Sequence, residues 1–87
     1  MLKNYMEEAV EYYLPVVLEN YQHVCKCVKC INDIKAIALN ELRPLYYATN
    51  QGQTYIKTKE FEAQFKVNIL NELTKAIKKV SSNIKHD

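Results

Sequence analysis

The chain has 87 residues, of which 48% are hydrophobic, and its formal net charge is +2. This length fits one small domain over residues 1–87, and the apolar fraction excludes an intrinsically disordered chain. Residues 1–44 carry five basic and six acidic side chains, and residues 45–87 carry seven basic and four acidic side chains. This charge distribution is far from the basic stripe of a nucleic-acid binder. One glycine and two prolines leave few turns, so we predict an all-α protein.

The first residues, MLKNYMEEAVEYYL, contain two acids within eight positions and no uninterrupted apolar run. They are therefore typical neither of a signal peptide nor of a membrane span. We expect a cytoplasmic protein whose cysteines stay reduced, because structural disulfides are rare in the reducing cytosol.

Asn4 and Glu7 predict the start of the first helix, with Asn4 as its N-cap and Glu7 in the capping-box position. Apolar residues then recur at spacings of three and four, at Met6, Ala9, Val10, Tyr13, Leu14, Val17, Leu18 and Tyr21. Pro15 lies inside this pattern and has no N–H to donate to the carbonyl of Glu11. We therefore expect a kink at Pro15 or a break into two helices.

All three cysteines lie in the stretch HVCKCVKC, at Cys25, Cys27 and Cys30. Zinc binds thiolates and needs ligands that converge to within about 2.3 Å of one point. Cys27 and Cys30 are three residues apart at the predicted start of the second helix, so their side chains share a face. Cys25 is able to fold back over the same point. The pattern predicts a zinc site rather than an iron–sulfur cluster, which usually takes four cysteines.

The fourth zinc ligand stays open. His23 is the nearest candidate and gives the pattern His-x-Cys-x-Cys-x-x-Cys, while His86, a water molecule or a partner group are the alternatives. His23 can equally be a surface histidine, and the cysteines can be small buried apolar residues.

No arrangement of residues typical of a catalytic site is recognisable. A thioredoxin-like role for Cys27-Val-Lys-Cys30 requires a βαβ unit, which a helical chain does not supply. The sequence lacks a serine–histidine–acid set, a glycine-rich phosphate-binding loop and a pair of carboxylates placed to face each other in a catalytic site. We therefore do not expect an enzyme.

A second helical pattern runs through Val28, Ile31, Ile34, Ile37 or Ala38, and Leu42, and Pro44 is expected to end it. The next stretch, LYYATNQGQTYIK, is aromatic and contains a turn signal at residues 50–52. It predicts either a short hairpin, with Tyr46 and Tyr47 on one arm and Tyr55 and Ile56 on the other, or an irregular extended loop.

Thr58 is the predicted N-cap of a long last helix, with Glu60 and Glu62 near its positive end. Its apolar stripe comprises Phe61, Phe65, Ile69, Leu73, Ala76 or Ile77, Val80 and Ile84, and Val67, Leu70 and Ile77 form a second strip beside it. Short neighbouring helices in so small a chain are not expected to cover this helix. The stripe therefore predicts a homodimer.

One run of residues, together with the N-terminal Asn4-x-Met6-Glu7, carries a family pattern. The run is Cys25-x-Cys27-x-x-Cys30-x-x-Asp33, then Ala36-x-Ala38-Leu39-Asn40-x-Leu42-x-Pro44-x-Tyr46, Thr49, Gly52 and Tyr55-x-Lys57. Over residues 4–57 the chain thereby resembles the late competence protein ComFB family. It departs from the family pattern at Arg43, where a first proline is common, at Tyr47, where valine is usual, and in having no cysteine after Cys30.

The resemblance implies a small helical homodimer with zinc held by Cys25, Cys27 and Cys30. Relatives are named for a bacterial DNA-uptake operon, and some are receptors for cyclic dinucleotides such as cyclic di-AMP and cyclic di-GMP. The resemblance therefore makes residues 43–57 a candidate ligand-binding surface. Two functions follow: a regulatory sensor that passes a signal to a protein partner, or an adaptor whose metal is purely structural.

The residues of this surface have chemistry that suits a nucleotide. Tyr46, Tyr47 and Tyr55 offer faces on which bases stack, and Arg43 and Lys57 are able to bind phosphates. The alternative is that the tyrosines cover the core between helices, as aromatic residues in small proteins usually do.

Overall fold

A computed structural model describes residues 2–59 and 63–82 of the chain. Within them the elements follow in the order β1 (Lys3–Asn4), α1 (Tyr5–Leu18), α2 (Val28–Glu41), β2 (Tyr46–Tyr47), α3 (Asn50–Lys59) and α4 (Ala63–Ser82). The predicted all-α class is confirmed, since each strand contains two residues. Among the described residues, no helix combines the length and apolarity that crossing a bilayer requires. Five residues with predicted roles lie outside the described ranges: Glu60, Phe61, Glu62, Ile84 and His86.

Asn4 is the N-cap of α1, as predicted. Its Oδ1 accepts hydrogen bonds from the backbone N–H groups of Met6, at 3.1 Å, and Leu45, at 2.9 Å. One side chain therefore caps the helix and holds the residue before β2. The helix continues through Pro15, so a break into two helices is wrong. Seven buried residues anchor the inner face of α1 while Pro15 lies on the exposed face, and this packing outweighs one missing backbone hydrogen bond.

The hydrophobic core lies where α1, α2 and α4 pack together. Its α2 residues are Cys30, Ile34 and Ala38, each one turn after the last. Val28, which the sequence pattern placed on the apolar stripe, is 80% exposed. It lies about 160° around the helix from Cys30, because each helical residue turns the chain by about 100°. The predicted burial of Val28 is therefore wrong, and Cys30 fills that part of the core.

The apolar stripe of α4, from which we predicted a homodimer, is buried within a single chain. Leu73 is 0% exposed and Val80 is 8% exposed within a single chain. Two helices of 14 residues, α1 and α2, pack against the 20-residue α4 and together cover its apolar stripe. The stripe is thus no reason to expect a second subunit, and the homodimer stays a prediction without this support.

The segment after α2 folds differently from both predicted alternatives. Tyr46 and Tyr47 do form a strand, but it pairs antiparallel with β1, with Lys3 opposite Tyr47. Tyr55 and Ile56, the predicted second arm of a hairpin, lie in α3. Ile56 is buried, so α3 is anchored by core packing although its own sequence is mostly polar.

The first turn of α3 explains why a segment with strand-like composition is helical. The Thr49 hydroxyl accepts a hydrogen bond from the Gly52 N–H at 3.0 Å, as an N-cap side chain does. Gly52 also lets α3 approach β2, because a Cβ atom there would lie 3.2 Å from the Tyr47 Cβ. Thr58, the predicted N-cap of the last helix, lies within α3 instead, and its hydroxyl donates to a backbone carbonyl four residues earlier at 2.9 Å. That prediction is wrong.

Candidate metal centre

The three cysteines meet at the junction between α1 and α2. After α1 the chain reverses through two successive turns, in which the N–H groups of Tyr21 and Val24 donate to carbonyls three residues earlier, at 2.9 and 3.2 Å. Cys25 follows these turns. Cys27 is the N-cap of α2 with an extended backbone, and Cys30 lies in the first turn of the helix.

The geometry of the cluster suits one metal ion. All three Sγ atoms lie within 4.8 Å of one another, and a tetrahedral site with Zn–S bonds of about 2.3 Å needs sulfurs about 3.8 Å apart. Within the described chain, which includes every cysteine, none of them forms a disulfide. The three cysteines differ in their exposure to solvent: Cys27 is exposed, Cys25 is half-buried and Cys30 is buried. The sulfurs are close to the spacing that a shared metal ion requires.

Without a cation, the surroundings of Cys30 favour its neutral thiol. Burial raises the pKa of the Cys30 thiol to about 12, and hydrogen bonds with Cys27 and Cys25 add to the effect. A cation among the three sulfurs would oppose this shift, because positive charge stabilises thiolates. The nearby Lys29 ammonium donates to the Asp33 carboxylate at 2.7 Å, and this hydrogen bond is the main cause of its raised pKa.

Among the described residues, no His, Asp or Glu side chain lies with the three cysteines as a fourth close donor. Within residues 2–59 and 63–82, the three cysteines are the one set of three or more His, Cys, Asp and Glu residues with ligand atoms this close. His23 is exposed and is not part of that set, while His86 lies outside the described residues. The structure thus brings together three of the four predicted ligands.

Tyr47 has a different role from the other predicted ligand-binding residues. Its hydroxyl donates a short hydrogen bond to the Glu8 carboxylate, which also accepts from the Gln53 amide at 3.0 Å. The hydrogen bond to Glu8 raises the pKa of Tyr47, and burial adds to the shift. The Tyr47 ring also meets Tyr5 edge-on, with ring centroids 6.4 Å apart. Tyr47 therefore ties β2 and α3 to α1.

Sequence reasoning missed Glu8 and Gln53 as partners of Tyr47. Glu8 lies 39 positions before Tyr47 and 45 positions before Gln53. Polar residues in two separate helices give no local signal of such a contact, because only the tertiary fold brings them together.

The remaining predicted ligand-binding residues do not form one surface. Tyr46 and Tyr55 are 60% and 64% exposed. Tyr55 and Lys57 point about 160° apart around α3, since they are two residues apart in a helix. Arg43 lines a separate cavity of about 490 Å³ together with Met6, Glu41, Leu42, Leu45, Phe65, Asn68 and Glu72.

The fold and the cysteine cluster define a small helical protein with a three-thiol candidate metal centre where two packed helices join. The family model for the late competence development protein ComFB matches residues 3–84. The chain belongs to the ComFB family. The predicted resemblance is confirmed, and the match extends beyond residues 4–57 through α4.

A solved structure supports the same relationship. The chain is similar to the late competence protein ComFB from Bacillus subtilis, with 26% sequence identity and a TM-score of 0.82. The alignment covers 99% of this chain and 97% of that chain, so the two share one fold. None of the curated proteins compared with the chain matches it.

Proposed function

We propose that this protein is a cytoplasmic, zinc-binding regulatory protein that acts by binding a partner and not by catalysis. One zinc ion is held by Cys25, Cys27 and Cys30. The observation that carries the proposal is the convergence of these three sulfurs within 4.8 Å of one another.

Zinc is the metal that this donor set favours. Thiolates select zinc, copper(I) and iron–sulfur clusters over magnesium or calcium, and iron–sulfur clusters usually take four cysteines. A structural zinc site has four ligands, so a water molecule, a partner group or a histidine such as His23 completes the shell.

The metal has a structural role at the junction of α1 and α2. Residues 19–27, which the structure describes throughout, contain no helix or strand. Cys25 lies in this connection, whereas Cys30 is 1% exposed and belongs to the core. A zinc ion bound by both would tie the irregular connection to the core and couple metal binding to folding.

Elemental analysis of the purified protein tests the metal site. We expect about one zinc per chain in the wild type and a large loss in Cys30→Ser, which removes the buried ligand. Val28→Ser is the matched control, because Val28 is in the same turn of α2 and 80% exposed. His23→Ala should have a smaller effect than Cys30→Ser. Wild-type protein without zinc, or full retention of zinc by Cys30→Ser, would contradict the proposal.

The second part of this proposal is that the regulatory protein binds a cyclic dinucleotide. The exposed rings of Tyr46 and Tyr55 support it, because exposed aromatic faces stack on bases. Arg43 and Lys57 supply charge for the phosphates, and Tyr47 positions β2 and α3 instead of stacking. A homodimer would match the two-fold symmetry of the ligand, and its two copies would have to supply between them the contacts that do not lie on one surface of a single chain. The competing function is a protein-binding adaptor with a structural metal.

Calorimetric titration of zinc-loaded protein with cyclic di-AMP and cyclic di-GMP separates these two functions. If the protein is a sensor, Tyr55→Ala should weaken binding by roughly one to two decades, since stacking contributes about 1–3 kcal/mol per base. Arg43→Ala should also weaken it. Tyr12→Ala is the control, because Tyr12 is a 70% exposed tyrosine on α1. Absence of binding to folded wild type would favour the adaptor.

A further inference from the structure

Cys27 and Cys30 form a Cys-x-x-Cys pair at the N-terminus of α2 in which one residue is exposed and the other is buried. Cys27 is an exposed N-cap, whereas Cys30 is 1% exposed. We propose that hydroperoxides oxidise Cys27, and that a reversible Cys27–Cys30 disulfide then removes two thiols from the metal centre. The release of zinc rests on the proposed function, but disulfide formation does not require a metal.

The position of Cys27 makes it the thiol that reacts first. Its Sγ accepts a hydrogen bond from the Cys30 backbone N–H at 3.4 Å, at the end of α2 where the helix dipole is positive. Cys27 differs from Cys30 in its access to solvent, since Cys27 is exposed and Cys30 is 1% exposed. A peroxide molecule in solvent therefore meets Cys27 before Cys30.

Cys30 is placed to complete the disulfide. Its sulfur lies within 4.8 Å of the Cys27 sulfur, and a disulfide needs an S–S distance of about 2.05 Å with Cα atoms about 4.4–6.8 Å apart. Residues three apart at the start of a helix are neighbours on one face. Rotation of the exposed Cys27 side chain is the movement that would close the remaining distance.

The chemistry balances with hydrogen peroxide as the oxidant. The Cys27 thiolate attacks one peroxide oxygen, so that an S–O bond forms, the O–O bond breaks and the leaving hydroxide takes a proton to become water. The Cys30 sulfur then attacks the sulfenic sulfur, forming the S–S bond and releasing the oxygen as a second water. Two thiols and one peroxide thus become one disulfide and two waters. When the thiols start as zinc-bound thiolates, the two protons come from solvent.

The consequence for the metal follows from the count of ligands. Of the three sulfurs, only Cys25 stays a thiol after the disulfide forms. One thiolate does not hold zinc as three do, because the thiolates supply most of the bonds in the site. Oxidation is therefore expected to release the ion and to loosen the junction of α1 and α2.

Treatment of the full-length protein with hydrogen peroxide, in metal-free and zinc-loaded form, tests this inference. We expect a mass decrease of about 2 Da, one disulfide mapped by peptide mass spectrometry to Cys27 and Cys30, and continued alkylation of Cys25. A chromogenic indicator should detect about one zinc released per disulfide, and dithiothreitol should restore the thiols.

Single-residue variants test which sulfur is oxidised first and which one completes the disulfide. Cys25→Ser should still form the Cys27–Cys30 disulfide in metal-free protein. Cys27→Ser should lose its remaining thiols roughly tenfold more slowly, and serine keeps an oxygen that caps α2. A disulfide at another pair, disulfides between chains, or direct formation of sulfinic acid would overturn the inference. If the protein binds zinc but forms no disulfide, the inference is wrong and the proposed function is unaffected. If the disulfide forms but the protein never binds zinc, only the proposed function is wrong.

Discussion

Chelation of zinc is expected to lower the midpoint of thermal unfolding of the wild-type protein by roughly 15–30 °C. A ligand at about 1,000 times its Kd stabilises the folded state by about 4 kcal/mol, and in a domain of this size each kcal/mol shifts the midpoint by about 4–8 °C. The effect is large here because Cys30 is part of the core and Cys25 lies in an irregular connection. Circular dichroism with and without chelator measures the shift.

Cys27→Ser is the matched variant for this measurement. Serine is itself a good N-cap, so α2 keeps its cap while the metal centre loses one thiolate. The variant should unfold close to the midpoint of chelated wild type and respond little to chelator. An unchanged melting curve of zinc-loaded wild type after chelation would show that the metal does not stabilise the fold.

Leu73→Asp is expected to unfold the protein. Leu73 is 0% exposed in the core between α1, α2 and α4. An unpaired buried carboxylate costs several kcal/mol, which is a large fraction of the roughly 5–15 kcal/mol of a typical domain. Far-ultraviolet circular dichroism should show a large loss of helix at 25 °C.

The control for this substitution is Val67→Asp on the same helix. Val67 is 44% exposed, so the new carboxylate stays hydrated and the free energy of unfolding should change by about 0.5 kcal/mol or less. Sedimentation of both variants adds a second test. If Leu73→Asp stayed folded and changed only from dimer to monomer, Leu73 would lie at a subunit contact and its burial within one chain would be contradicted.

Local signals allowed several features to be predicted from the sequence. The N-cap role of Asn4 depends on a hydrogen bond to the N–H two residues later, and the cysteine cluster depends on three residues within six positions. Such interactions involve only a few neighbouring residues, so their geometry follows from the local backbone. The family pattern from Cys25 to Lys57 was recognisable because it too is a run of neighbouring positions in the sequence.

Interactions between distant segments were predicted less well. The stretch LYYATNQGQTYIK is aromatic and contains threonine, a composition that favoured a hairpin or an extended loop, yet the Thr49 cap and the burial of Ile56 make its second half a helix. Tyr46 and Tyr47, in the middle of the chain, pair with residues 3–4 near its N-terminus. Tertiary contacts outweigh intrinsic strand propensity, because propensity spans only about 1 kcal/mol.

The sequence by itself thus determined the helical class, the start of α1, the family and the three thiols of the candidate metal centre. Only the tertiary structure decided that α1 and α2 cover α4 within one chain, and that the Tyr47 hydroxyl bonds to Glu8 and Gln53. It also decided that Cys30 is buried while Cys27 stays exposed. An apolar stripe specifies that a face is buried but not what covers it, because hydrophobic burial is non-directional and any complementary surface satisfies it.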